Sequence, residues 1–141
     1  MRMIDDRTGL EVLAQDECLR LLQGEGVGRV AVVAGGRPLM FPINNVVDGK
    51  TIVFRTDEGT KLDAARAGAV VTFEVDHSDP LYHTGWSVMA TGPLETVTDS
   101  QELGRVRGLP VRAWGREGQH WVRMPITSIS GRRISGVPAR S

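Results

Sequence analysis

The sequence predicts a mainly β protein, a six-stranded antiparallel barrel with short helices over its openings. Segments rich in β-branched residues recur along the chain, and turns such as Gly35-Gly36 and Asp48-Gly49 separate consecutive ones. Strand and helix patterns do not alternate regularly, which argues against a doubly wound sheet and its dinucleotide-binding turn. The chain has 141 residues, of which 40% are hydrophobic, enough for one core and too few for two ordinary domains.

The first half of the chain predicts an arm, one helix and a three-stranded meander. Residues 1–12 are predicted to form a flexible polar arm. A helix is predicted at 16–23, with Asp16 as its N-cap and Gly24 at its end. The predicted strands of the meander are 27–33, 38–47 and 51–55.

The second half predicts three further strands and two short helices. Gly59 supplies a turn, and Thr60 offers a side-chain oxygen suited to cap a helix at 61–67. The remaining predicted elements are a strand at 69–75, a polar loop at 77–84, a long strand at 85–96 with a bend at Gly92-Pro93, a helix at 99–107, an irregular loop at 108–118 and a last strand at 120–129, interrupted by Pro125. The chain is therefore one predicted domain at 13–136, followed by a flexible tail at 137–141.

Composition and charge narrow the classes of function. Lys plus Arg and Asp plus Glu number 17 each, so the net charge of zero gives no sign of nucleic acid or an anionic membrane as the main partner. A small molecule or another protein is the expected partner. The sequence lacks a bilayer-length apolar run and a secretory signal at its start, so we expect a cytoplasmic protein. The single cysteine, Cys18, lies among leucines and is expected to pack in the core.

The stretch from Thr51 to Leu62 is the strongest candidate binding site. It ends a strand in Arg55 and, after a glycine turn, opens a helix with Thr60-Lys61. Unpaired amide hydrogens at a helix start attract anions, and both basic side chains would reach the same place, so the pattern favours a phosphate. The alternative is an ordinary surface helix, because many begin with Thr-Lys.

Two further positions are candidates for contact with a planar ring. Trp86 offers an indole that either stacks on a heteroaromatic ring or packs in the core or an interface. Asn44 and Asn45 lie within a predicted strand, where asparagine is depleted. Their amides either meet the polar edge of a ring or mark an irregular strand.

No catalytic side chain and no metal site is predicted. Ser87 follows Gly85-Trp86 without the strand-to-helix elbow of a hydrolase nucleophile. Adjacent Asp57 and Glu58 point in different directions, as in a solvated turn. The histidines, which show no metal-ligand spacing, are His77, His83 and His120.

Six short motifs follow one another along most of the chain. They are Gly26-Val27-Gly28-Arg29-Val30, Pro42-Ile43-Asn44-Asn45-Val46, Phe54-Arg55-Thr56, Gly59-Thr60-Lys61-Leu62, Gly85-Trp86-Ser87-Val88 and Ile129-Ser130-Gly131-Arg132-Arg133-Ile134. Their order and spacing resemble the pyridoxamine 5'-phosphate oxidase-like family of flavin-binding split β-barrels, especially its small single-domain actinobacterial-type members. The resemblance covers about Asp16 to Ile134.

This resemblance implies a homodimer of split barrels with flavin mononucleotide (FMN) in grooves between the two subunits. The implied cofactor residues are Arg55, Thr60 and Lys61 at the phosphate, Asn44, Asn45 and Val46 at the ring, Trp86 and Ser87 along the groove, and Thr56 and Leu62 from the same motifs. The implied activity is flavin-dependent transfer of hydride or electrons to an unidentified small molecule.

Several alternatives stay open. The cofactor is instead the deazaflavin coenzyme F-420 if Arg112, Arg116 and Arg123 form a basic groove for its acidic tail. A non-catalytic carrier or sensor of flavin or haem, or a barrel without a cofactor, would also fit the pattern. Arg132 and Arg133 either reach a phosphate or a neighbouring subunit, or are a solvated pair.

Overall fold

The structure is a computed structural model, and it describes residues 3–5, 7–24, 27–111 and 118–134. These residues form ten strands and three helices. The helices are α1 (Gln15–Gly24), α2 (Thr60–Arg66) and α3 (Ser100–Val106). The strands are β1 (Met3–Ile4), β2 (Glu11–Val12), β3 (Val27–Ala34), β4 (Arg37–Asp48), β5 (Thr51–Thr56), β6 (Val70–Asp79), β7 (Thr84–Pro93), β8 (Glu95–Thr96), β9 (His120–Pro125) and β10 (Ser128–Ile134).

The strands of the described residues form one antiparallel sheet that curls into a barrel. Their order is β1-β2-β10-β7-β6-β3-β4-β5-β9-β8. Two bent runs of chain, β7–β8 and β9–β10, pair with each other on both sides of their bends. Thr91 of β7 lies opposite Ser128 of β10, and Glu95 of β8 lies opposite Arg123 of β9. This double pairing joins the two halves of the sheet.

The bends meet at Gly92, where the two runs cross closely. A Cβ atom built on Gly92 would lie 2.0 Å from the carbonyl oxygen of Pro125. The amide of Leu94 donates to the carbonyl of Ala69, and that of Thr127 to the carbonyl of Thr91, both at 2.8 Å. A side chain larger than hydrogen therefore does not fit at this crossing.

The barrel encloses the main hydrophobic core, and a smaller core lies outside it. Side chains alternate between the two faces of each strand. Phe54 and Phe73 fill the main core from β5 and β6. On the outer face of β5 and β9, Val53 and Trp121 pack with Val106 of α3.

The predicted fold class is confirmed, whereas the predicted number of six strands is wrong. The runs predicted as single strands at 85–96 and 120–129 each form two strands, because each changes its partner at the crossing. The segment predicted as an arm adds a small hairpin in which Met3 lies opposite Val12, and β2 of this hairpin pairs with β10. The predicted tail at 137–141 lies outside the described residues.

The polar loop predicted at 77–84 is also wrong. Strand β6 continues to Asp79 and β7 begins at Thr84, so the segment is mostly a hairpin. The carboxylate of Asp79 accepts a hydrogen bond of 3.0 Å from the amide of Leu81 in the turn. This side-chain hydrogen bond stabilises a tight turn, which composition alone does not distinguish from a loop.

Both predicted N-caps lie inside their helices, Thr60 as the first residue of α2 and Asp16 as the second residue of α1. The N-cap of α2 is Gly59, at φ 152°, without a side-chain cap bond, and Thr60 is already helical. Helix α1 begins at Gln15, so Asp16 lies in its first turn and accepts the amide of Glu17 at 3.0 Å. None of the described helices is long and apolar enough to span a bilayer.

Candidate functional site

Two hydrogen bonds connect the turn after β5 to the start of β9. Arg55 lies on the outer face of β5, and its Nε donates to the carbonyl of Gly118 at 2.9 Å. The amide of Gly118 donates in turn to Oδ1 of Asp57 at 2.7 Å. The guanidinium carbon of Arg55 lies 5.3 Å from the ring centroid of Trp121, a cation–π distance. The turn therefore holds Arg55 at a fixed place beside this indole.

Lys61 lies in the first turn of α2 in a partly apolar setting. Its Nζ is 4.7 Å from the ring centroid of Phe41. Burial lowers the pKa of Lys61 because desolvation disfavours the ammonium, while the charge of Asp57 opposes that shift. Within the described part of the chain, no carboxylate lies within 4 Å of Nζ. An anion bound here would restore a favourable environment for the charge.

Asn45 is the most unusual residue of the predicted set. It is 5% exposed and lies on the inner face of β4, opposite Phe54. Both polar side-chain atoms, Oδ1 and Nδ2, lack a hydrogen-bond partner among the residues that the structure describes. A buried amide without partners costs about 1–3 kcal/mol. Such a group fits a ligand edge that carries both a donor and an acceptor.

The neighbouring predicted residues have different surroundings. Val46, half-buried, faces the smaller core, on the opposite side of β4 from Asn45. Thr56 is buried and its hydroxyl donates to the carbonyl of Asp57 at 3.2 Å, which leaves it a supporting role in the turn. Leu62 packs in the main core. Asn44, on the same face as Val46, is half-buried.

Trp86 and Ser87 lie apart from the other predicted site residues. Strands β6 and β3 separate β7 from β4, a distance on the order of 14 Å along the sheet at ordinary strand spacing. The ring centroid of Trp86 lies 6.4 Å from that of His77, at an angle of 33°. Trp86 and His77 line a cavity of about 340 Å³ at the end of β6, β7 and β10, together with Arg132 and Arg133. One copy of the chain therefore does not unite Trp86 with Asn45.

Arg132 and Arg133 are partly exposed, and both are paired with carboxylates. Arg133 donates to Glu11 at 3.4 Å and to Glu17 at 2.8 Å, and Arg132 lies 3.8 Å from Asp5. Hydrogen bonds from Arg20 and then from Arg133 lower the pKa of Glu17 from 4.5 to about 2. These arginines tie the N-terminal hairpin and α1 to β10.

A further cavity of about 300 Å³ lies between α2, α3 and the β8–β9 pair. The sequence does not predict this cavity. Its apolar wall comes from Leu62, Val97, Leu103 and Trp121. We call it the α2–α3 pocket. It touches the predicted site through Leu62, the neighbour of Lys61, and through Trp121, the ring beside Arg55.

Comparison with known proteins places the chain in a family. The family model described as pyridoxamine 5'-phosphate oxidase matches residues 14–133. The chain belongs to the pyridoxamine 5'-phosphate oxidase family. The Mycobacterium tuberculosis protein Rv0080 is 38% identical over 103 residues, which cover 69% of this chain and 67% of that protein.

Two solved structures of flavin-binding proteins share the fold of this pyridoxamine 5'-phosphate oxidase family member. An FAD-binding protein from Mycobacterium smegmatis is 38% identical, with a TM-score of 0.73, and the match covers 86% of this chain and 96% of that one. An FAD-binding protein from Mesorhizobium loti, 23% identical, has a TM-score of 0.73 over 89% of this chain and 99% of that one. The first relates sequence and fold together, and the second relates the fold alone.

Of the three arginines considered for a deazaflavin tail, Arg123 already has carboxylate partners in this family member. Arg123 is 3.3 Å from Glu95 and 3.1 Å from Glu102, so carboxylates already balance its charge. Arg112 and Arg116 lie outside the described residues.

Proposed function

We propose that this protein is a flavin-dependent oxidoreductase that acts on a small molecule. The observation that carries the proposal is Asn45, whose buried amide lacks partners for both of its polar atoms among the described residues. A flavin edge offers carbonyl acceptors and a ring N–H donor, which match those two atoms. The FAD-binding relative from M. smegmatis, 38% identical, supports the same cofactor class.

Lys61 and Arg55 would bind the flavin phosphate, with Thr60 beside them. Lys61 has no carboxylate within 4 Å in the described part of the chain, and the hydrogen bond to Gly118 holds Arg55 beside Trp121. A charge-assisted hydrogen bond contributes roughly 1.5–3 kcal/mol, so two such groups account for micromolar binding or better. The simplest such cofactor is FMN.

A bound flavin supplies hydride and electron chemistry, so the side chains of the protein bind it, orient it and exclude water. This role agrees with the absence of a motif-supported nucleophile or carboxylate pair in the sequence. We therefore assign no catalytic side chain. The substrate is a small molecule that reaches the flavin ring.

A homodimer would bring Trp86 and Ser87 of one copy to the flavin of the other, because within one copy two strands lie between them and Asn45. The outer face of β3, β4, β6 and β7 supports this pairing, since it exposes an unusual number of large apolar side chains. They are Val27 (51% exposed), Val33 (70%), Met40 (64%), Val70 (69%) and Met89 (51%). A monomer in sedimentation at micromolar concentration would contradict the dimer.

The cofactor site is tested by titrating FMN and riboflavin into the protein and two variants. We expect Lys61→Ala to weaken FMN binding by about 1.5–3 kcal/mol, roughly ten- to a hundredfold, through loss of a charged donor. Riboflavin, which has no phosphate, should bind poorly and respond little. Lys50→Ala, at an exposed lysine in the β4–β5 turn, is the matched control and should bind like the parent. If Lys61→Ala also binds FMN like the parent, the phosphate site is misplaced.

A further inference from the structure

Three charged side chains lie among the exposed apolar side chains on the outer face of β3, β4, β6 and β7. Arg29 lies opposite Glu74 in the β3–β6 pair, and its Nη1 is 3.4 Å from a carboxylate oxygen of Glu74 and 3.4 Å from one of Asp76. Glu74 and Asp76 are two residues apart on β6, so they share one face of the strand. Met89 lies directly opposite Glu74, and Val27 lies two residues from Arg29. We call Arg29, Glu74 and Asp76 the charged triad.

The charged triad does not balance its own charge. One guanidinium faces two carboxylates, which leaves a net charge of −1 on each copy when all three groups are ionised. Opposite the two carboxylates β7 places Met89 and Ser87, and opposite the guanidinium β4 places Pro42, so these positions add no charge. Beyond β7, Arg132 lies opposite Ser87 and 3.8 Å from Asp5, which shares its charge. Among the described residues, the excess negative charge therefore stays at the triad.

A second copy on this face would make that excess charge more costly. Burial, and then the hydrogen bond and charge of Asp76, raise the pKa of Glu74 from 4.5 to about 7, while Arg29 opposes the shift. The side chain of Glu74 is still 29% exposed and that of Asp76 is 45% exposed. A two-fold interface uses the same patch on both copies, so it would bury two triads and remove the water around them. An unpaired buried charge is strongly unfavourable, and such groups take up a proton instead.

We propose that the homodimer forms with uptake of one proton by each copy, shared between Glu74 and Asp76, so that rising pH separates the subunits. Glu74 in its protonated form donates a hydrogen bond to Asp76, and Arg29 balances the carboxylate that remains. The charged triad then enters the interface without net charge. The inference rests on the proposed function, because it takes the second copy to lie on this face.

The direction of the pH dependence follows from the tighter hold of the dimer on the proton. The pKa of Glu74 is about 7 in one copy and higher in the dimer, so below about pH 7 both states are protonated and association does not depend on pH. Above that range each copy must take up a proton to associate. The dissociation constant of the dimer then rises by up to about a hundredfold per pH unit, until the pH passes the pKa of Glu74 in the dimer.

Sedimentation equilibrium of the full chain from about pH 6.5 to pH 9, at constant ionic strength, tests this inference. The dissociation constant of the parent dimer should rise at least tenfold between about pH 7 and pH 8.5. Glu74→Gln and Asp76→Asn each remove the excess charge, so in both variants it should change less than about threefold over that range. Arg29→Gln adds to the excess and should weaken the dimer already at neutral pH. Glu58→Gln is the matched control and should follow the parent, because Glu58 also pairs with an arginine, Arg66, but lies in the turn before α2.

Other results would separate this inference from the proposed function. A parent dimer whose dissociation constant does not change with pH would refute the proton uptake and leave the homodimer standing. A pH dependence that persists in both Glu74→Gln and Asp76→Asn would also refute it, since other groups would then take up the proton. A parent that stays monomeric at every pH would overturn the homodimer and this inference together, while the FMN titration still tests the flavin site.

Discussion

Replacing Asn45 by leucine should make the cofactor-free protein more stable and should weaken flavin binding. Leucine has the same number and branching of side-chain heavy atoms as asparagine, so it fits a similar space without polar atoms. The buried amide of Asn45 would lower the stability of the cofactor-free protein and raise its affinity for flavin, so both properties depend on one group.

The size of the effect follows from the burial of Asn45. Its side chain is 5% exposed, and neither Oδ1 nor Nδ2 has a partner among the described residues. Removing a buried amide without partners recovers about 1–3 kcal/mol, and the larger methyl groups of leucine cost part of that gain in a packed core. We therefore expect Asn45→Leu to raise the free energy of unfolding of the cofactor-free protein by about 1–2 kcal/mol.

Urea denaturation with and without flavin measures both halves of this prediction. Saturating flavin at a hundred times its Kd should stabilise the parent by about 2.7 kcal/mol and the variant by much less, so the order of stability reverses. Asn44→Leu controls for added hydrophobicity in the cofactor-free arm, because Asn44 lies on the outer face of the same strand. It should change the free energy of unfolding by less than about 0.5 kcal/mol.

A cofactor-free Asn45→Leu protein that is no more stable than the parent would refute the reasoning. It would mean that the amide is already satisfied and offers nothing special to a ligand. A variant that is more stable and still binds flavin like the parent would keep the energetic argument and remove Asn45 from the site.

Two further predictions concern the barrel. Gly92→Ala should lower the free energy of unfolding, measured in urea, by about 3 kcal/mol, because the added Cβ would lie 2.0 Å from a backbone oxygen. The control Gly104→Ala, in α3 with nothing within 4 Å of its Cβ, should raise it by about 0.5–1 kcal/mol, and equal effects of the two changes would contradict the close crossing. Burial and Asp76 raise the pKa of Glu74 from 4.5 to about 7, so the folded state holds this proton more tightly and stability falls as pH rises through that range. Glu74→Gln should remove about 1–2 kcal/mol of that fall between pH 4.5 and 7.5, and an unchanged pH profile would show that the carboxyl group titrates normally.

The fold class could be predicted because its signals are local. Strand-forming segments and glycine turns each occupy a few consecutive residues, and the observed strands β3, β4 and β5 begin and end within about one residue of their predicted bounds. The change of partners at Gly92 could not be predicted, because it depends on hydrogen bonds between distant segments, such as that from Leu94 to Ala69. A run of strand formers does not record which strand lies beside it.

The candidate site divides in the same way. Arg55 and Lys61 lie six residues apart in sequence, so their association with one turn is visible without a structure. The ion pairs of Arg133 with Glu11 and Glu17 span more than a hundred residues. The α2–α3 pocket likewise depends on segments from α2 to β9, and the sequence does not show that they lie together. For Asn45, the sequence already marked an unusual strand residue, whereas the lack of hydrogen-bond partners could be seen only in the structure.

The double pairing of the two bent runs also bears on how the protein folds during synthesis. Strand β9 pairs with β5, and β10 pairs with both β7 and β2, so residues 120–134 complete each half of the sheet. A growing chain that ends before these residues leaves β5 and β7 with open edges. Contacts between segments so far apart in sequence form slowly, because long loops must close first. Closure of the barrel should therefore wait for the last strands to leave the ribosome, and until then the half-built sheet depends on protection from pairing with other chains.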